Sequence, residues 1–249
     1  MSDAKVQASQ PGRRRSVPRT ARERARAEIT AEILAAARRY LATDGAPALS
    51  LRAIARDLGM ASSALYRYFS GRDELLTRLI IDAYDSLGAA AEAREATIER
   101  NDLAARFTAV CEAVRAWALA HPNEYALIYG SPVPGYVAPA DTVRPASRVT
   151  ALLLRIIAEA ALAGRVPDAD PRGEDPRQAA ALAPIRSYLP PGVPVALVQR
   201  ALMTWTNLFG VLSFELYGQL HNVVGEESGD REAFFAECIR RWIQLTGIA

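Results

Sequence analysis

The stretch SLRAIARDLGMASSALYRYF, residues 50–69, predicts two short helices joined by a turn that contains glycine. Ser50 is a suitable N-cap for the first helix, and Ser62 or Ser63 is suitable for the second. Gly59 supplies a residue that adopts positive φ at the turn. Two helices joined in this way pack at a steep angle and leave the second one projecting. A projecting helix can enter the major groove of DNA while the first helix crosses the phosphate backbone.

The side chains that this pair leaves exposed are suited to DNA. An inner face can be formed by Leu51, Ile54, Leu58 and Leu65. The outer face would then carry Ser62, Ser63, Ala64, Tyr66, Arg67 and Tyr68. Small residues at the start of the second helix allow close approach to base edges, and a serine hydroxyl pairs with several bases. Tyr66 and Arg72 suit phosphate oxygens, which position a protein without reading sequence. An ordinary helical hairpin with no ligand has the same geometry and stays open on these residues alone.

Helical periodicity extends through the rest of the chain. Apolar residues recur at spacings of three and four, and no useful stretch alternates as a β-strand does. Ala, Leu, Arg and Glu, which are good helix formers, dominate. Turn residues such as Asp44-Gly45-Ala46-Pro47 separate the helical stretches. The sequence predicts an all-α protein with helices over about 21–43, 51–58, 64–69, 72–99, 103–120, 124–129, 143–162, 178–188 (kinked or split at Pro184), 195–216 and 230–245.

Charge is divided unevenly along the chain, whose net charge is +2. Residues 1–70 carry a net charge of +7, and residues 71–249 carry −5. A basic part beside an acidic remainder points toward a polyanion such as nucleic acid, although a solvated basic face would look the same. Residues 1–20 are predicted to be a disordered basic arm, since they have almost no large apolar side chains. The seven arginines of 13–26 could follow phosphates or enter the minor groove.

Composition and motifs argue against several classes of protein. Charge-free runs over 125–140 and 201–214 fall short of the ~20 residues that a membrane-spanning helix needs. The arginine-rich start lacks the apolar stretch of a secretory signal. Cys111 and Cys238 lie in apolar helical patterns, as buried thiols of a reducing compartment do. No nucleophile elbow, phosphate-binding glycine loop or metal-spaced Cys/His cluster occurs. The sequence therefore predicts a cytoplasmic protein that is not an enzyme and uses no metal or cofactor.

Several stretches resemble the DNA-binding domain of TetR-family transcriptional regulators. At fixed spacing across about 26–86 stand Ile33-Leu34-Ala35-Ala36-Ala37, Gly45, residues 50–60, Leu65-Tyr66-Arg67-Tyr68-Phe69 and Arg72-Asp73-Glu74-Leu75-Leu76. The resemblance implies that the major-groove helix falls on 62–68 and that the phosphate-contacting tyrosine is Tyr66. It also implies a base contact at Arg52, as in some members. Arg72 stands where the family usually has Lys, which keeps the charge but changes the hydrogen-bond geometry.

The C-terminal part is similar to a TetR subgroup that carries a Trp-His-Gly signature. Trp205-Thr206-Asn207-Leu208-Phe209-Gly210, followed by Leu216-Tyr217-Gly218, has Phe209 where the signature has His. The resemblance implies a homodimer docked through helices near 195–220 and 230–245. The first of these helices has, beyond its heptad-like stripe, a second apolar set: Leu197, Ala201, Leu208 and Val211. That set agrees with a dimer, although a fully buried helix in a monomer would show it too.

The TetR resemblance further implies a small-molecule effector, whose binding in the larger domain moves two DNA-reading helices apart. The helix over 72–99 is placed to be the lever. Ligand sites are usually apolar cavities with a few polar tips. The candidate lining residues, which can equally be ordinary core aromatics, are Trp117, Tyr125, Tyr129, Met203, Trp205, Phe209 and Phe214.

We therefore expect a repressor that a small apolar molecule releases from palindromic double-stranded DNA. The alternative is a helical protein-interaction scaffold that does not bind DNA. The expected parts are a basic arm over 1–20, a helix-turn-helix DNA-binding domain over 21–71, and a helical regulatory and dimerisation domain over 72–249. Within the last part, residues 164–177 are predicted to be a flexible insertion, because they contain three prolines and many charges.

Overall fold

The computed structural model describes residues 20–164, 175–186, 189–225 and 227–248 of the 249-residue chain. Within these ranges the regular elements are helices, and no strand occurs. The predicted all-α fold is therefore confirmed. The predicted basic arm lies outside the described residues except for Thr20, as does most of the predicted flexible insertion.

The helices follow one another along the chain with mostly short connections. In chain order they are α1 (Ala21–Asp44), α2 (Leu51–Asp57), α3 (Ser62–Leu65), α4 (Arg72–Glu95), α5 (Leu103–Ala120), α6 (Pro122–Tyr129), α7 (Val143–Ala146), α8 (Arg148–Leu162), α9 (Pro176–Ala181), α10 (Ala183–Arg186), α11 (Val195–Leu216) and α12 (Ser228–Thr246). Short 3-10 turns, Ala46–Ala48 and Ala140–Thr142, precede α2 and α7.

Local sequence signals explain several helix ends. At the start of α1 the Thr20 hydroxyl accepts from the Glu23 N–H, while the Glu23 carboxylate accepts from the Thr20 N–H at 2.8 Å. The Ser50 hydroxyl caps α2 by accepting from the Ala53 N–H. Gly45 follows α1 with a φ of 75°, which glycine adopts without strain. These ends are set by residues within one turn of the chain.

Other predicted helix ends are wrong. Helix α3 begins at Ser62 and its N-cap is Ala61, which provides no side-chain hydrogen bond, so Ser62 and Ser63 do not cap it. Helix α4 ends at Glu95 rather than near 99, because the chain tightens there into turns. The helix predicted over 178–188 begins earlier, at Pro176, and the kink or split expected at Pro184 is present as a break at Leu182 between α9 and α10. Proline 184 explains the break, since it cannot donate to the carbonyl four residues earlier.

The buried side chains form two hydrophobic clusters. The N-terminal core joins α1, α2, α3 and the first half of α4, with Ile33, Ile54 and Leu65 fully enclosed. The C-terminal core joins the rest of α4 with α5, α6, α8, α11 and α12. Helix α4 therefore belongs to both cores. It gives Leu75, Leu76 and Leu79 to the first and Ala83, Leu87 and Ala91 to the second.

Helix α6 and the loop after it join the two cores at a second place. Tyr125 is fully enclosed in the C-terminal core, whereas Leu127 packs on the N-terminal core. Val133 and Tyr136 of the loop also pack on the N-terminal core. The Tyr136 hydroxyl lies 2.9 Å from the hydroxyl of Thr77 on α4, so a polar contact adds to the apolar ones.

Arg148 of α8 lies across α4 at Gly88. Its guanidinium donates to both Glu92 carboxylate oxygens, at 3.0 and 2.7 Å, and to the Asp85 carboxylate at 2.8 Å. A Cβ placed on Gly88 would lie 2.7 Å from Arg148 Nε and 2.9 Å from Arg148 Cβ. Glycine weakens a helix interior by roughly 0.5–1 kcal/mol relative to alanine. The close approach of Arg148 explains why this position in α4 is glycine.

The buried Arg106 holds the far end of α4 against α5 and α8. Its side chain is 1% exposed, and its guanidinium contacts Glu95 at 2.7 Å and Glu159 at 2.6 Å. Two carboxylates thus compensate a cation that would be costly to bury alone.

Helix α11 is long and apolar enough to cross a membrane by length and composition alone. In the fold it packs against α5, α8 and α12. Leu197, Val198, Leu208 and Leu212 are buried in the C-terminal core. We therefore describe α11 as a core helix.

Candidate DNA-binding surface and effector site

Helices α2 and α3 present one buried flank and one exposed flank. Leu51, Ile54 and Leu65 are buried against α1 and α4. The opposite flank of α3 is open: Ser62, Ser63, Tyr66 and Arg67 are exposed, and Ala64 and Tyr68 are half-buried. Arg52 is exposed on the first turn of α2. The residues expected to read DNA on α2 and α3 are therefore accessible, either fully or in part.

The segment expected to read DNA, residues 62–68, which we call the DNA-reading segment for that expectation, is short and depends on its surroundings. Helix α3 has four residues, and the chain continues to Tyr68 through turns closed by Arg67 N–H to Ala64 and Tyr68 N–H to Leu65. A helix of this length is not stable by itself. Leu65 and Phe69 anchor it from below because both are buried in the N-terminal core.

One of the seven arginines of 13–26, which were expected to follow phosphates or enter the minor groove, contacts the end of this segment within the protein. Arg26 of α1 donates from Nη2 to the Arg67 carbonyl at 3.2 Å, and its guanidinium lies 5.0 Å from the centroid of the Tyr68 ring. Nearby, the Glu74 carboxylate accepts from the N–H and hydroxyl of Ser70, at 2.6 and 2.7 Å. These two hydrogen bonds lower the pKa of Glu74, and the charge of Arg26 adds to the effect. The turn after α3 is thus closed by polar contacts.

Arg72 makes contacts that sequence reasoning did not anticipate. Its guanidinium donates to the carbonyls of Ala46 and Pro47, at 3.0 and 3.3 Å, and lies 3.8 Å from the Asp73 carboxylate. Arg72 therefore holds the turn between α1 and α2 onto the start of α4. Its expected contact with phosphate stays a prediction.

Aromatic side chains from α4, α6 and α11 form a cluster in the C-terminal core. Tyr129 stacks on Phe209 with ring centroids 4.1 Å apart, and Tyr125 lies 5.1 Å from Tyr129. Trp205 meets the edge of Phe209 at 5.9 Å, and Tyr84 meets that of Tyr129 at the same distance. We call these five residues the aromatic cluster.

Some polar atoms of the aromatic cluster have a hydrogen-bond partner and others do not. The Tyr125 hydroxyl donates to the Phe209 carbonyl at 3.0 Å, and burial raises its pKa to about 12. Burial also raises the pKa of Tyr129, with Tyr84 and Tyr125 as the further contributors. The Trp205 Nε1 atom is buried and has no hydrogen-bond partner among the described residues. The cluster thus contains an unused donor.

The other three predicted pocket residues lie elsewhere. Trp117 stacks on His121 with centroids 5.0 Å apart and donates to the Ser86 hydroxyl at 2.9 Å. Met203 and Phe214 are 45% and 55% exposed on another face of α11. The structure therefore brings together Tyr125, Tyr129, Trp205 and Phe209 but not the whole predicted set.

An apolar face remains uncovered on α11 and α12. It carries Met203, Phe214, Tyr217, Phe234 and Leu245, each of which is more than a third exposed. A groove of about 340 Å³ runs between Phe214 and Phe234. Exposed apolar patches of this kind mark interaction sites.

The apolar set on α11 that the sequence suggested for dimer contact is mostly internal. Leu197, Ala201 and Leu208 are buried in the C-terminal core, and Val211 is half-buried. The exposed stripe is instead that of Met203 and Phe214. The sequence alone could not separate the two stripes, because both are apolar at helical spacing.

Within the described ranges, no group of three or more His, Cys, Asp or Glu residues is placed to hold a metal ion. Cys111 is buried, and Cys238 is half-buried. Burial raises the pKa of the Cys111 thiol, which keeps it protonated.

Comparisons with known proteins cover most of the chain. A family model described as bacterial regulatory proteins, tetR family, matches residues 33–79, and one described as tetracyclin repressor-like, C-terminal domain, matches residues 107–242. The HTH-type transcriptional regulator Rv1816 of Mycobacterium tuberculosis (strain ATCC 25618 / H37Rv) is 40% identical over 200 residues, which are 80% of this chain and 85% of the relative. The HTH-type transcriptional regulator Mb1846 of Mycobacterium bovis has the same identity and coverage.

Solved structures agree with this similarity. The crystal structure of SCO4313, described as a regulatory protein, is 37% identical with a TM-score of 0.73, over 92% of this chain and all of that chain. A tetR family transcription regulator from Shewanella sp. PV-4 is 16% identical with a TM-score of 0.57, over 85% of this chain and 96% of that one. At that identity the second likeness concerns the fold alone.

Proposed function

The chain belongs to the TetR family of DNA-binding transcriptional regulators, and from this premise we propose a dimeric repressor that a small apolar molecule releases from a palindromic operator. The observation that carries the DNA-binding part is the open flank of α3 above a fully buried opposite flank. The proposal includes a cytoplasmic location and no enzymatic activity.

We assign base contacts to Ser62, Ser63, Ala64, Arg67 and Tyr68, because small or polar residues there are accessible to base edges. Tyr66, which is 47% exposed, and the cation Arg72 would bind phosphates and set the orientation of the helix. Arg52 would reach the groove from the start of α2. The arm over 1–20 would add contacts to phosphate.

Selection of bound duplexes from a random oligonucleotide pool tests this assignment. We expect a palindrome, because a symmetric dimer reads two equal half-sites. Tyr66→Ala should lower affinity on every duplex, whereas Ser62→Ala and Arg67→Ala should change which bases are preferred. A pool that yields no enriched sequence would contradict the proposal and favour the scaffold alternative.

The proposed dimer contact is the uncovered face of α11 and α12. Met203, Phe214 and Phe234 lie there, exposed in the single chain. A second copy of the same face would cover them around a twofold axis, as isologous interfaces do. This places the contact within the predicted segments near 195–220 and 230–245. The domain division proposed with it is 21–71 for DNA and 72–249 for regulation and dimerisation.

The proposed effector site is the aromatic cluster. A buried N–H without a partner costs free energy, and the Trp205 Nε1–H is such a group. An uncharged ligand with one hydrogen-bond acceptor would satisfy it while its apolar part lies against Tyr129 and Phe209. Burial and the neighbouring tyrosines raise the pKa of Tyr129, so its hydroxyl stays uncharged, which suits an uncharged ligand. Helix α4 would carry the change to the DNA-binding part as the lever.

Indole ¹⁵N NMR with acetophenone, which has a carbonyl acceptor, and ethylbenzene, which has none, tests the effector site. We expect acetophenone alone to move the Trp205 Nε1–H resonance downfield, with assignment by Trp205→Phe. Trp117 is the internal control, since its Nε1–H already binds Ser86. Equal shifts from both probes would contradict the role of Trp205.

A further inference from the structure

Arg26 of α1 makes the contacts described above at the place where the DNA-reading segment ends. Its Nη2 group donates to the carbonyl of Arg67, which directly follows the C-cap residue Tyr66. The same guanidinium lies over the Tyr68 ring, in the geometry of a cation–π contact. One side chain thus contacts the backbone of one proposed base-reading residue and the ring of the next.

Helix α3 has few means of its own to keep this end in place. It has four residues, no side-chain N-cap and a C-terminal exit through turns. Leu65 and Phe69 fix the buried side, but apolar contacts allow rotation and sliding that a directed hydrogen bond does not. Arg26 supplies such a bond from a neighbouring helix, α1, which has its own capping box.

We propose that Arg26 is a positioning residue for DNA recognition. It fixes the exit of the DNA-reading segment by holding the Arg67 carbonyl and the Tyr68 ring, and it thereby sets how these two side chains meet the base pairs. The inference rests on the proposed function, in which α3 enters the major groove. It goes beyond that function because Arg26 acts through α3 and not through a base of its own.

The experiment compares Arg26→Ala with Arg24→Ala, a matched control. Both arginines are exposed on α1 and both substitutions remove one positive charge, but only Arg26 contacts the end of α3. Affinity is measured on the selected operator and on a scrambled duplex of equal length, at several salt concentrations. We expect Arg26→Ala to weaken operator binding roughly 10-fold, which is the upper end of what one ordinary hydrogen bond contributes.

The ratio of operator affinity to scrambled-duplex affinity distinguishes a positioning effect of Arg26 from the loss of one positive charge. Arg26→Ala should lower the operator-to-scrambled ratio, while Arg24→Ala should lower both affinities alike or leave both unchanged. Loss of a phosphate contact weakens all sequences together and reduces the salt slope by about 1. If Arg26→Ala only reproduces that uniform loss, or changes nothing, the positioning role is refuted.

A double-mutant cycle of Arg26→Ala and Tyr68→Leu tests whether Arg26 acts on operator affinity through the Tyr68 ring. Because Arg26 acts in part through the Tyr68 ring, the double variant should lose less operator affinity than the product of the two single losses. Multiplicative losses would overturn that path.

Amide hydrogen exchange of the free protein completes the test without DNA. Arg26→Ala should speed exchange at Tyr68 and Phe69 and leave the amides of α2 unchanged, while Arg24→Ala should change neither. If the unmodified protein selects no operator, the proposed function fails, and exchange still reports on the contact. Unaltered exchange in Arg26→Ala refutes the inference even where the proposed function holds.

Discussion

The contact of Arg148 with Gly88 gives a prediction in which two effects oppose each other. Gly88→Ala in the middle of α4 should add roughly 0.5–1 kcal/mol of helix stability in an open helix. Here the new Cβ would lie 2.7 Å from Arg148 Nε and 2.9 Å from Arg148 Cβ and Cδ. One of these atoms is Cβ, whose position is fixed by the backbone, so Arg148 cannot avoid the overlap by moving only its tip. Overpacking of this kind costs typically about 1–3 kcal/mol.

The ion pairs of Arg148 contribute less to the change in the free energy of unfolding than the steric overlap does. Its side chain is 27% exposed, and those of Asp85 and Glu92 are 52% and 46% exposed, so water screens the charges. Exposed pairs are worth at most about 1 kcal/mol each. The balance predicts that Gly88→Ala lowers the free energy of unfolding by about 1–2 kcal/mol. Urea unfolding followed by circular dichroism measures this change.

Arg148→Ala provides the decisive background for this prediction. Without the Arg148 side chain beyond Cβ, the overlaps with Nε and Cδ are removed, while the Arg148 Cβ itself stays 2.9 Å from the new Cβ. Gly88→Ala should therefore cost less than it does in the unmodified protein, so the two substitutions should be non-additive. If Gly88→Ala stabilises the unmodified protein, or if it costs the same in both backgrounds, the steric reasoning is wrong.

Three further predictions concern burial, association and pH. Arg106→Ala should cost about 3–5 kcal/mol in urea unfolding, because the buried Glu95 loses its closest cation and keeps only the longer contacts with Arg100 and Arg155, whereas Arg100→Ala, at a side chain 63% exposed, should cost under about 1 kcal/mol. Phe214→Glu should separate the proposed dimer in sedimentation velocity, while Val137→Glu, at a residue 86% exposed, should not. Burial raises the pKa of Tyr125 to about 12, above its ordinary 10.0, so the unfolded chain loses that proton first and stability should fall as pH rises from 10. Tyr125→Phe should flatten this decline, and urea midpoints across the pH range check it.

The sequence predicted the helix-turn-helix pair because its determinants are local. Gly59 adopts a φ of 65°, Ser50 caps α2, and the spacing of Leu51, Ile54 and Leu65 gives one buried face. Each of these signals acts within a few residues of the chain. The family resemblance included these residues among the matching positions of about 26–86.

Contacts between distant residues could not be predicted in this way. Arg26 and Arg67 are 41 positions apart, and no periodicity connects them. The two apolar stripes of α11 have similar composition, and only the packing of neighbouring helices decides that Leu208 is internal and Phe214 exposed. For the same reason Trp117 could not be separated from Trp205, since both occupy apolar positions of helices.

Helix α6 has a mechanical consequence for any molecule that opens the aromatic cluster. Two turns of rigid backbone carry Tyr125 and Tyr129 on the side of that cluster and Leu127 on the side of the other core. If α6 tilts or rotates to admit a bound molecule, its opposite side moves by a similar distance. The energetic cost of opening the aromatic cluster is therefore shared with the N-terminal core, on which the segment proposed to read DNA is packed, even though the bound molecule would not touch that core.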